Sequence, residues 1–311
     1  MSNIKNQRTA YGEALVELGR ENQNIVALEA DLGKSTMSYM FQEAFPERYF
    51  EMGIAEANMI STAAGLAASG KTAFCSTFAV FASGRAYDQT RQTVSIGKLN
   101  VKICGSSSGL SDFGDGSTHQ AVEDAAIMSA IPNMTVFTPC DAAETRMVVR
   151  AAAELDGPCY IRVVRNDLPE YTTDFDSFEV GKVRVLREGT DVAIFAHGTM
   201  VEASMNAAEQ LAAKGVSAMV VNVATLKPFD NEGVQEIASK VRAVVTAEEH
   251  TYIGGLASMT ALALRGSCVP MDYVAVPDCF GQSAHSAEEL QKSYGLTPEN
   301  IAEKAEKLLE K

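Results

Sequence analysis

The chain has 311 residues, 46% hydrophobic and 21% charged, a composition typical of globular proteins and a length sufficient for two domains. Its net charge of −14 argues against a nucleic-acid partner or an anionic membrane surface, because no basic field offsets the repulsion by phosphate groups. A few local arginines would still be enough to bind an anionic small molecule.

Neither a secretion signal nor a membrane span is expected. The N-terminus lacks the apolar core of a signal peptide, and no uncharged apolar run reaches membrane-spanning length. None of the six cysteines forms a CxxC pair, and most stand in apolar strand-like runs, which favours buried, reduced thiols. We therefore expect a soluble protein of the cytoplasm.

The first 168 residues alternate strand-like and helix-like patterns. In chain order they predict a helix over 9–21, a strand over 24–31, a helix over 56–70, a strand over 71–81, a helix over 85–97, a strand over 100–107, a helix over 119–131, a strand over 134–140, a helix over 142–155 and a strand over 159–165. Asp141 is expected to be the N-cap of the last helix. Apolar strands separated by helices predict a parallel sheet covered on both faces.

Residues 169–188 interrupt this alternation with acidic clusters and turn formers, and we interpret them as a linker. The alternation then resumes. It predicts strands over 191–198, 217–225, 243–250 and 272–278, and helices over 199–215, 231–241, 254–266 and 297–311. The fold class predicted is α/β, with two three-layer domains, of which the second (189–311) is the smaller.

Two familiar site motifs are incomplete. The stretch DLGKST resembles the tail of a nucleotide-binding P-loop, but Leu28 stands where that motif requires its first glycine. No predicted strand is followed by the GxGxxG pattern of dinucleotide-binding proteins. With four histidines and no clustered cysteines, the sequence also offers no zinc site built from protein ligands alone.

Glu56 stands at the head of an apolar run that carries no further charge until Lys71. An ionised carboxylate buried there costs several kcal/mol unless a partner compensates it. Phe78 and Phe81 lie near the end of the next predicted strand. Each also has an ordinary explanation: Glu56 as an acid at a helix N-terminus that the helix dipole stabilises, and the two phenylalanines as core aromatics.

Further polar residues follow other predicted strands. A glycine-rich turn holds Asp115 and His119, and Arg165 ends a strand. A single loop histidine is usually a surface residue. Because parallel sheets build their sites at the carboxyl ends of strands, the combination with Glu56 predicts one functional site.

Three segments, RYFEMGIAEANM, STFAVFASGRAYDQ and GDGSTHQ, resemble the pyrimidine-binding half of transketolase in order and spacing, and TAEEH and GGLAS resemble its C-terminal domain. The resemblance implies a pyrimidine-binding domain (1–168), a linker (169–188) and a transketolase C-terminal domain (189–311). Full-length transketolases begin with a domain that grips a diphosphate and Mg²⁺, and this chain starts after it. The GDG at 114–116 lacks the asparagine that a diphosphate site requires. The resemblance therefore implies the C-terminal subunit of a split transketolase, with a separate N-terminal subunit as its partner.

The cofactor implied is thiamine diphosphate, with Mg²⁺ ligated by the partner subunit and no metal ligand in this chain. Glu56 matches the glutamate that hydrogen-bonds N1′ of the aminopyrimidine and favours its imino tautomer. A buried carboxyl favours its protonated form, which can share a proton with a ring nitrogen. Phe81 matches the ring that stacks on the pyrimidine, with Phe78 as the second choice, and Asp31 matches a place lining the cofactor pocket across a subunit boundary.

The resemblance also implies substrate contacts. Asp115 matches a residue on a donor hydroxyl, and His119, the second catalytic candidate beside Glu56, matches one near the ketose carbonyl. Arg8, Ser35 and Arg165 match places that bind sugar phosphate, although Arg8 could also be a solvated charge at a helix start. The serine-rich turn at 105–117 is long for a loop between a strand and a helix, and we expect it to close over substrate.

The activity implied is transfer of a two-carbon ketol unit from a ketose phosphate to an aldose phosphate, by two copies of each subunit. Related chemistry leaves open a deoxyxylulose-phosphate synthase-like or 2-oxoacid dehydrogenase beta-like subunit, and a transketolase for a modified sugar. A non-catalytic partner subunit is the alternative from a different class. The site residues around Glu56 and His119 count against it.

Overall fold

The computed structural model describes residues 4–310. The strands within that range are β1 (Ile4–Asn6), β2 (Ile25–Glu29), β3 (Tyr49–Glu51), β4 (Thr72–Phe78), β5 (Val101–Ser106), β6 (Thr135–Phe137), β7 (Cys159–Arg162), β8 (Asp167–Pro169), β9 (Arg184–Arg187), β10 (Val192–Ala196), β11 (Ala218–Asn222), β12 (Thr225–Lys227), β13 (Ala243–Thr251) and β14 (Met271–Val276).

The α-helices are α1 (Gln7–Glu21), α2 (Gly33–Thr36), α3 (Tyr39–Ala44), α4 (Glu56–Ala68), α5 (Tyr87–Gln89), α6 (Asp124–Ala130), α7 (Ala142–Glu154), α8 (Met200–Ala212), α9 (Asn231–Ala238), α10 (Leu256–Ala263), α11 (Ala287–Ser293) and α12 (Pro298–Leu309). Asp141 caps α7 as expected, since its carboxylate accepts from the backbone N–H of Glu144 at 2.8 Å. No helix within residues 4–310 has both the length and the apolar character needed to cross a membrane.

The first sheet has seven strands in the order β12-β6-β7-β5-β4-β2-β3, and all but β12 run parallel. Helices cover both of its faces. On one face α1 packs against α7 through Tyr11, Leu15 and Val148. On the other, Met59 and Ile60 of α4 belong to a core that continues into the second domain. The predicted parallel sheet with two covered faces is confirmed.

The second sheet has five strands in the order β14-β13-β10-β11-β9, parallel except for β9. Its β9 lies at the end of the expected linker and pairs with β11. Helices α8 and α12 pack together on this sheet through residues such as Leu211 and Ile301. The α/β class with two domains is confirmed, while the boundaries at residues 168 and 189 stay a prediction.

Several predicted elements differ from the structure next to the candidate site, among them the strand predicted to end with Arg165, which ends at Arg162. The strand predicted to run to Phe81 ends at Phe78, and Phe81–Arg85 forms a π-helical turn. The helix predicted from His119 starts at Asp124. After Phe78 the apolar pattern continues through Ala79, Val80 and Phe81, so periodicity alone gives no boundary there.

Candidate functional site

The candidate residues collect at the carboxyl ends of the parallel strands. Glu56 follows β3, Ser35 follows β2, Phe78 ends β4 and Arg165 follows β7. The segment after β5 carries Asp115 and His119. Because these strands are parallel neighbours, their carboxyl ends share one edge of the sheet, where such folds bind ligands.

Glu56 has a partner within the chain. It begins α4 without a side-chain N-cap, and its side chain is 4% exposed. Arg85 Nη1 donates to its Oε1 at 3.1 Å from a side chain that is 54% exposed. No donor among residues 4–310 contacts the other oxygen, Oε2. The ion pair compensates the buried charge and leaves one carboxylate oxygen for another donor.

An aromatic cluster adjoins this pair. The rings of Phe78 and Phe81 have centroids 6.0 Å apart with planes inclined by 19°. The His119 ring meets Phe81 edge-on at 5.3 Å and Phe78 at 6.1 Å. The guanidinium of Arg85 lies over the Phe81 ring, 4.0 Å from its centroid. One continuous set of contacts therefore joins Glu56 to His119.

Asp115 and Arg165 meet at Asp112. This aspartate is buried, and Arg165 Nη1 donates to its Oδ1 at 3.0 Å. Burial raises the pKa of Asp112; Arg165 counteracts this shift, and the nearby carboxyl of Asp115 adds to it. His119 lies close enough to Asp112 to act on the same pKa. The substrate candidates after β5 and β7 thus form one electrostatic unit.

Arg8 and Ser35 also lie together. Arg8 Nη1 donates to the backbone carbonyl of Ser35 at 2.9 Å. Burial lowers the pKa of Arg8 and the charge of Arg165 lowers it further, while the carboxylates of Asp167 and Asp112 counteract this shift. Arg8 Nε is buried with no hydrogen-bond partner among residues 4–310. Asp112 and Asp167 offset part of the repulsion between the two arginines, and the unused donor of Arg8 suits a further anionic ligand such as a phosphate.

A cleft of about 670 Å³ opens beside these arginines. Arg8, Arg165 and Asn166 line it from the first domain, and Thr199 and Glu202 from the second. It is large enough for a sugar phosphate and is lined by both domains, but Ser35, Asp115 and His119 do not line it, and Asp167, Glu202 and Glu288 do.

Asp31 is not joined to this set of contacts. It has a positive φ of 62° and an exposed side chain, and its backbone N–H donates to Glu51 Oε1 at 2.9 Å. Nothing among residues 4–310 connects it to Glu56 or Phe81. Its role in lining the cofactor pocket across a subunit boundary stays a prediction.

Glu29, on the strand before Asp31, gives a pH dependence that can be measured. Burial raises its pKa to about 8, and the neighbouring carboxylate of Glu51 adds to the shift. In the folded chain, Glu29 then keeps a proton that it releases in the unfolded chain once the pH exceeds its ordinary pKa of 4.5. The contribution of Glu29 to the free energy of unfolding should therefore fall as pH rises from about 4.5 to about 8, by at most ~1.4 kcal/mol per pH unit.

Urea unfolding at pH 5, 6.5 and 8, followed by circular dichroism, measures this slope. Glu29→Gln is expected to remove the Glu29 contribution from this slope, because the amide does not titrate. Glu43→Gln, at an exposed position, is the control and should keep the wild-type slope. Equal slopes in wild type and Glu29→Gln would refute the assignment to Glu29.

Three features of the site were not predicted from the sequence: the ion pair of Arg85 with Glu56, the burial of Asp112, and the role of Asn6 as a helix cap. Asn6 caps α1 and donates through Nδ2 to the backbone carbonyl of Arg165 at 3.0 Å. It thereby ties the helix that carries Arg8 to the residue expected to share its ligand. The only sequence signal for this role of Asn6 is its position shortly before the first predicted helix.

Hydrogen bonds fix the first half of the serine-rich turn, and its closure over substrate stays a prediction. Ser107, Ser108 and Ser111 are buried, and Ser108 donates to the carbonyl of Val163 through both N–H and Oγ at 3.1 Å. These hydrogen bonds hold the first half of the turn in place.

Among residues 4–310, no cluster of three histidine, cysteine, aspartate or glutamate side chains could hold a metal ion.

Comparison with known proteins identifies the family of both domains. Residues 5–170 match the pyrimidine-binding domain of transketolase, and residues 181–301 match its C-terminal domain. A solved split gene transketolase, described as an inactive beta4 tetramer, is 48% identical with a TM-score of 0.91, over 98% of this chain and 99% of its own.

Two relatives extend this comparison. The 6-deoxy-6-sulfo-D-fructose transketolase subunit of Clostridium sp. (strain MSTE9) is 43% identical, over 98% of this chain and 94% of its own length. The transketolase of Homo sapiens is 34% identical over 98% of this chain, which spans 49% of the human protein.

The chain therefore belongs to the transketolase family of transferases. Within that family it corresponds to the C-terminal subunit of a split transketolase, as the sequence resemblance implied.

Proposed function

We propose that this chain provides the pyrimidine side of a thiamine diphosphate-dependent active site that transfers a two-carbon ketol unit between sugar phosphates. The observation that carries the proposal is the place of Arg85. Its flat guanidinium contacts the Phe81 ring and the Glu56 carboxylate at once. An aminopyrimidine is also flat and also donates hydrogen bonds, so the same two groups suit it.

The residues fit the pyrimidine half of that cofactor. Glu56 has Oε2 free of donors from residues 4–310, and Phe81 is half-buried, so both are available to a ligand. Arg85 is more than half exposed and has room to turn into solvent when the ring binds. When bound, thiamine diphosphate supplies the electron sink for breaking the carbon–carbon bond of the ketose.

Each site residue then has a defined task. Glu56 holds or releases a proton at N1′ of the pyrimidine, and Phe81 stacks on its face while Phe78 supports that ring. His119 lies against both phenylalanines, from where it hydrogen-bonds the ketose near its carbonyl. Asp115 contacts a donor hydroxyl.

The phosphate group of the sugar binds beside Arg8, Ser35 and Arg165. Guanidinium groups match phosphate through paired N–H donors. We assign the Mg²⁺ and diphosphate ligands to the partner N-terminal subunit, in an assembly with two copies of each chain. The cytoplasm is the proposed compartment, and six unpaired cysteines, four of them buried, are compatible with it.

A second substrate class has specific support. The Clostridium relative is named for 6-deoxy-6-sulfo-D-fructose, and a sulfonate is an anion that paired arginines can also bind. A donor carrying a sulfonate in place of the phosphate is therefore the alternative substrate.

The test is ketol transfer with thiamine diphosphate and Mg²⁺, using xylulose 5-phosphate as donor and ribose 5-phosphate as acceptor. This chain is assayed alone and with its candidate N-terminal partner, and 6-deoxy-6-sulfofructose replaces the donor in a parallel series. Activity confined to the pair is expected, since the related beta4 tetramer is described as inactive. Cofactor binding to the pair without transfer from either donor would refute the substrate assignment.

A further inference from the structure

The second domain holds the segment that carries Asp115 and His119. We call residues 107–120, between β5 and α6, the site loop. Three of its residues bond to the second domain: Leu110, Phe113 and Gln120. Leu110 N–H donates to Glu249 Oε1 at 2.8 Å, and Phe113 accepts from the N–H of Ala284 at 2.9 Å.

Glu249 is the central member of these contacts. It lies on β13 and is 2% exposed. Its Oε1 accepts from Leu110, and its Oε2 accepts from Thr199 Oγ1 at 3.0 Å and from Gln291 Nε2 at 2.9 Å. Three donors from three separate segments therefore fix the carboxylate, and the site loop is one of them.

The shape of the loop is adapted to this carboxylate. Gly109 has a positive φ of 63°, and a Cβ at that position would collide with Glu249 Oε1. Its N–H donates to Ala121 O at 2.9 Å and its carbonyl accepts from Ala121 N–H at 3.1 Å, which closes the loop at its base. A glycine is needed both for the backbone conformation and for the approach of the glutamate.

A second attachment lies near the catalytic candidates. Gln120 follows His119, and its Nε2 donates to Asp112 O at 3.2 Å and to Gln282 O at 3.0 Å. The loop end that carries His119 is therefore also bonded to the second domain, while Glu249 fixes the loop start.

We infer that Glu249 is a positioning residue for the reaction: through Leu110 it sets the conformation of the site loop, and so the places of Asp115 and His119. The catalytic meaning of this inference rests on the proposed function, whereas the contact itself does not. Through Glu249 the C-terminal domain takes part in the reaction, although this residue does not contact the substrate.

The adjacent residue provides a matched control. Glu248 is equally buried, but successive residues of a strand point to opposite faces. Its carboxylate accepts from the N–H groups of Leu256 and Ala257 at 2.7 and 2.8 Å, at the start of α10 within the second domain. Replacing either glutamate by leucine therefore removes an equally buried carboxylate. The Glu249 variant affects the site loop, and the Glu248 variant affects the start of α10.

Amide hydrogen exchange on the full chain, read by mass spectrometry, is the first measurement. Glu249→Leu is expected to speed exchange in peptides covering 107–121 about tenfold or more, since the Leu110 N–H loses its acceptor. Glu249→Gln should stay near wild type, because its amide oxygen still accepts from Leu110, while the Thr199 hydroxyl and the Gln291 amide can turn to accept from its new NH₂ group. Glu248→Leu should speed exchange around 252–262 and leave the loop unchanged.

Turnover in the reconstituted complex is the second measurement. Glu249→Leu is expected to lower kcat/KM about ten- to hundredfold by displacing groups near the reacting atoms, with rescue in Glu249→Gln. Gly109→Ala disturbs the same contact from the loop side and replaces Glu249→Leu if that variant folds poorly.

Wild-type loop exchange in Glu249→Leu, or equal loosening of the loop by Glu248→Leu, would overturn the inference. Faster loop exchange with unchanged turnover would overturn it as well. If even the wild-type complex transfers no ketol unit, the proposed function fails, and the exchange data still decide whether Glu249 holds the loop.

Discussion

Replacing Glu56 by Gln is expected to lower ketol transfer by the reconstituted complex about 10²- to 10⁴-fold, the range for loss of a general acid–base group. The amide keeps the shape of the side chain but cannot take up and release a proton. Arg85 loses its ionic partner, and the Phe81 ring is left in place. Binding of thiamine diphosphate, measured by calorimetry on the pair, should therefore change much less than kcat.

The matched control is Glu47→Gln, at a side chain that is 69% exposed on the surface of the same domain. It should leave both affinity and turnover unchanged. Full activity of Glu56→Gln would contradict the mechanism and would favour a non-catalytic role for this chain. A loss of affinity as large as the loss of kcat would show that Glu56 binds the ring without acting on its proton.

Replacing Arg165 by Met is expected to raise the KM for a phosphorylated donor about 10- to 100-fold, as expected from loss of hydrogen bonds to a charged group. A donor without phosphate, such as erythrulose, should be used about as well as by the wild type. The comparison of the two donors, each assayed over a range of concentrations, separates phosphate binding from chemistry.

Arg165→Lys tests the geometry. It keeps a positive charge beside Asp112 but lacks the paired donors of a guanidinium, so an intermediate KM is expected. Arg265→Met, at an exposed position of the second domain, is the control for removal of a positive charge. If both donors lose activity equally in Arg165→Met, Arg165 acts through Asp112 on the whole site and does not select phosphate.

The long elements were predictable because their signals are local. The 3.6-residue period and the Asp141 cap define α7, and the apolar runs define β4 and β5. Short strands carry no such signal. The three-residue strands β1 and β8 exist because they pair with each other across more than 150 residues of sequence, and no pattern within either stretch indicates that pairing.

The site was predictable in composition and less so in contacts. Parallel strands bring their ends together, so Glu56, Phe78 and Arg165 could be placed at one edge from their positions alone. The partner of Glu56 could not, because Arg85 reaches it only through the π-helical turn that follows β4. Asp112 was missed for a related reason: its buried carboxylate pairs with Arg165, which is 53 residues away in the sequence, and no local pattern indicates such a contact.

One strand makes the two domains interdependent in folding. β12 comes from the C-terminal half, yet it pairs antiparallel with β6 as the outermost strand of the first sheet. A chain shortened to residues 1–180 would leave β6 as an open edge, and open edges invite pairing with other chains. Cleavage within residues 169–188 should likewise leave two fragments associated through this strand. We therefore expect the two halves to unfold in one transition, and the shortened chain to aggregate.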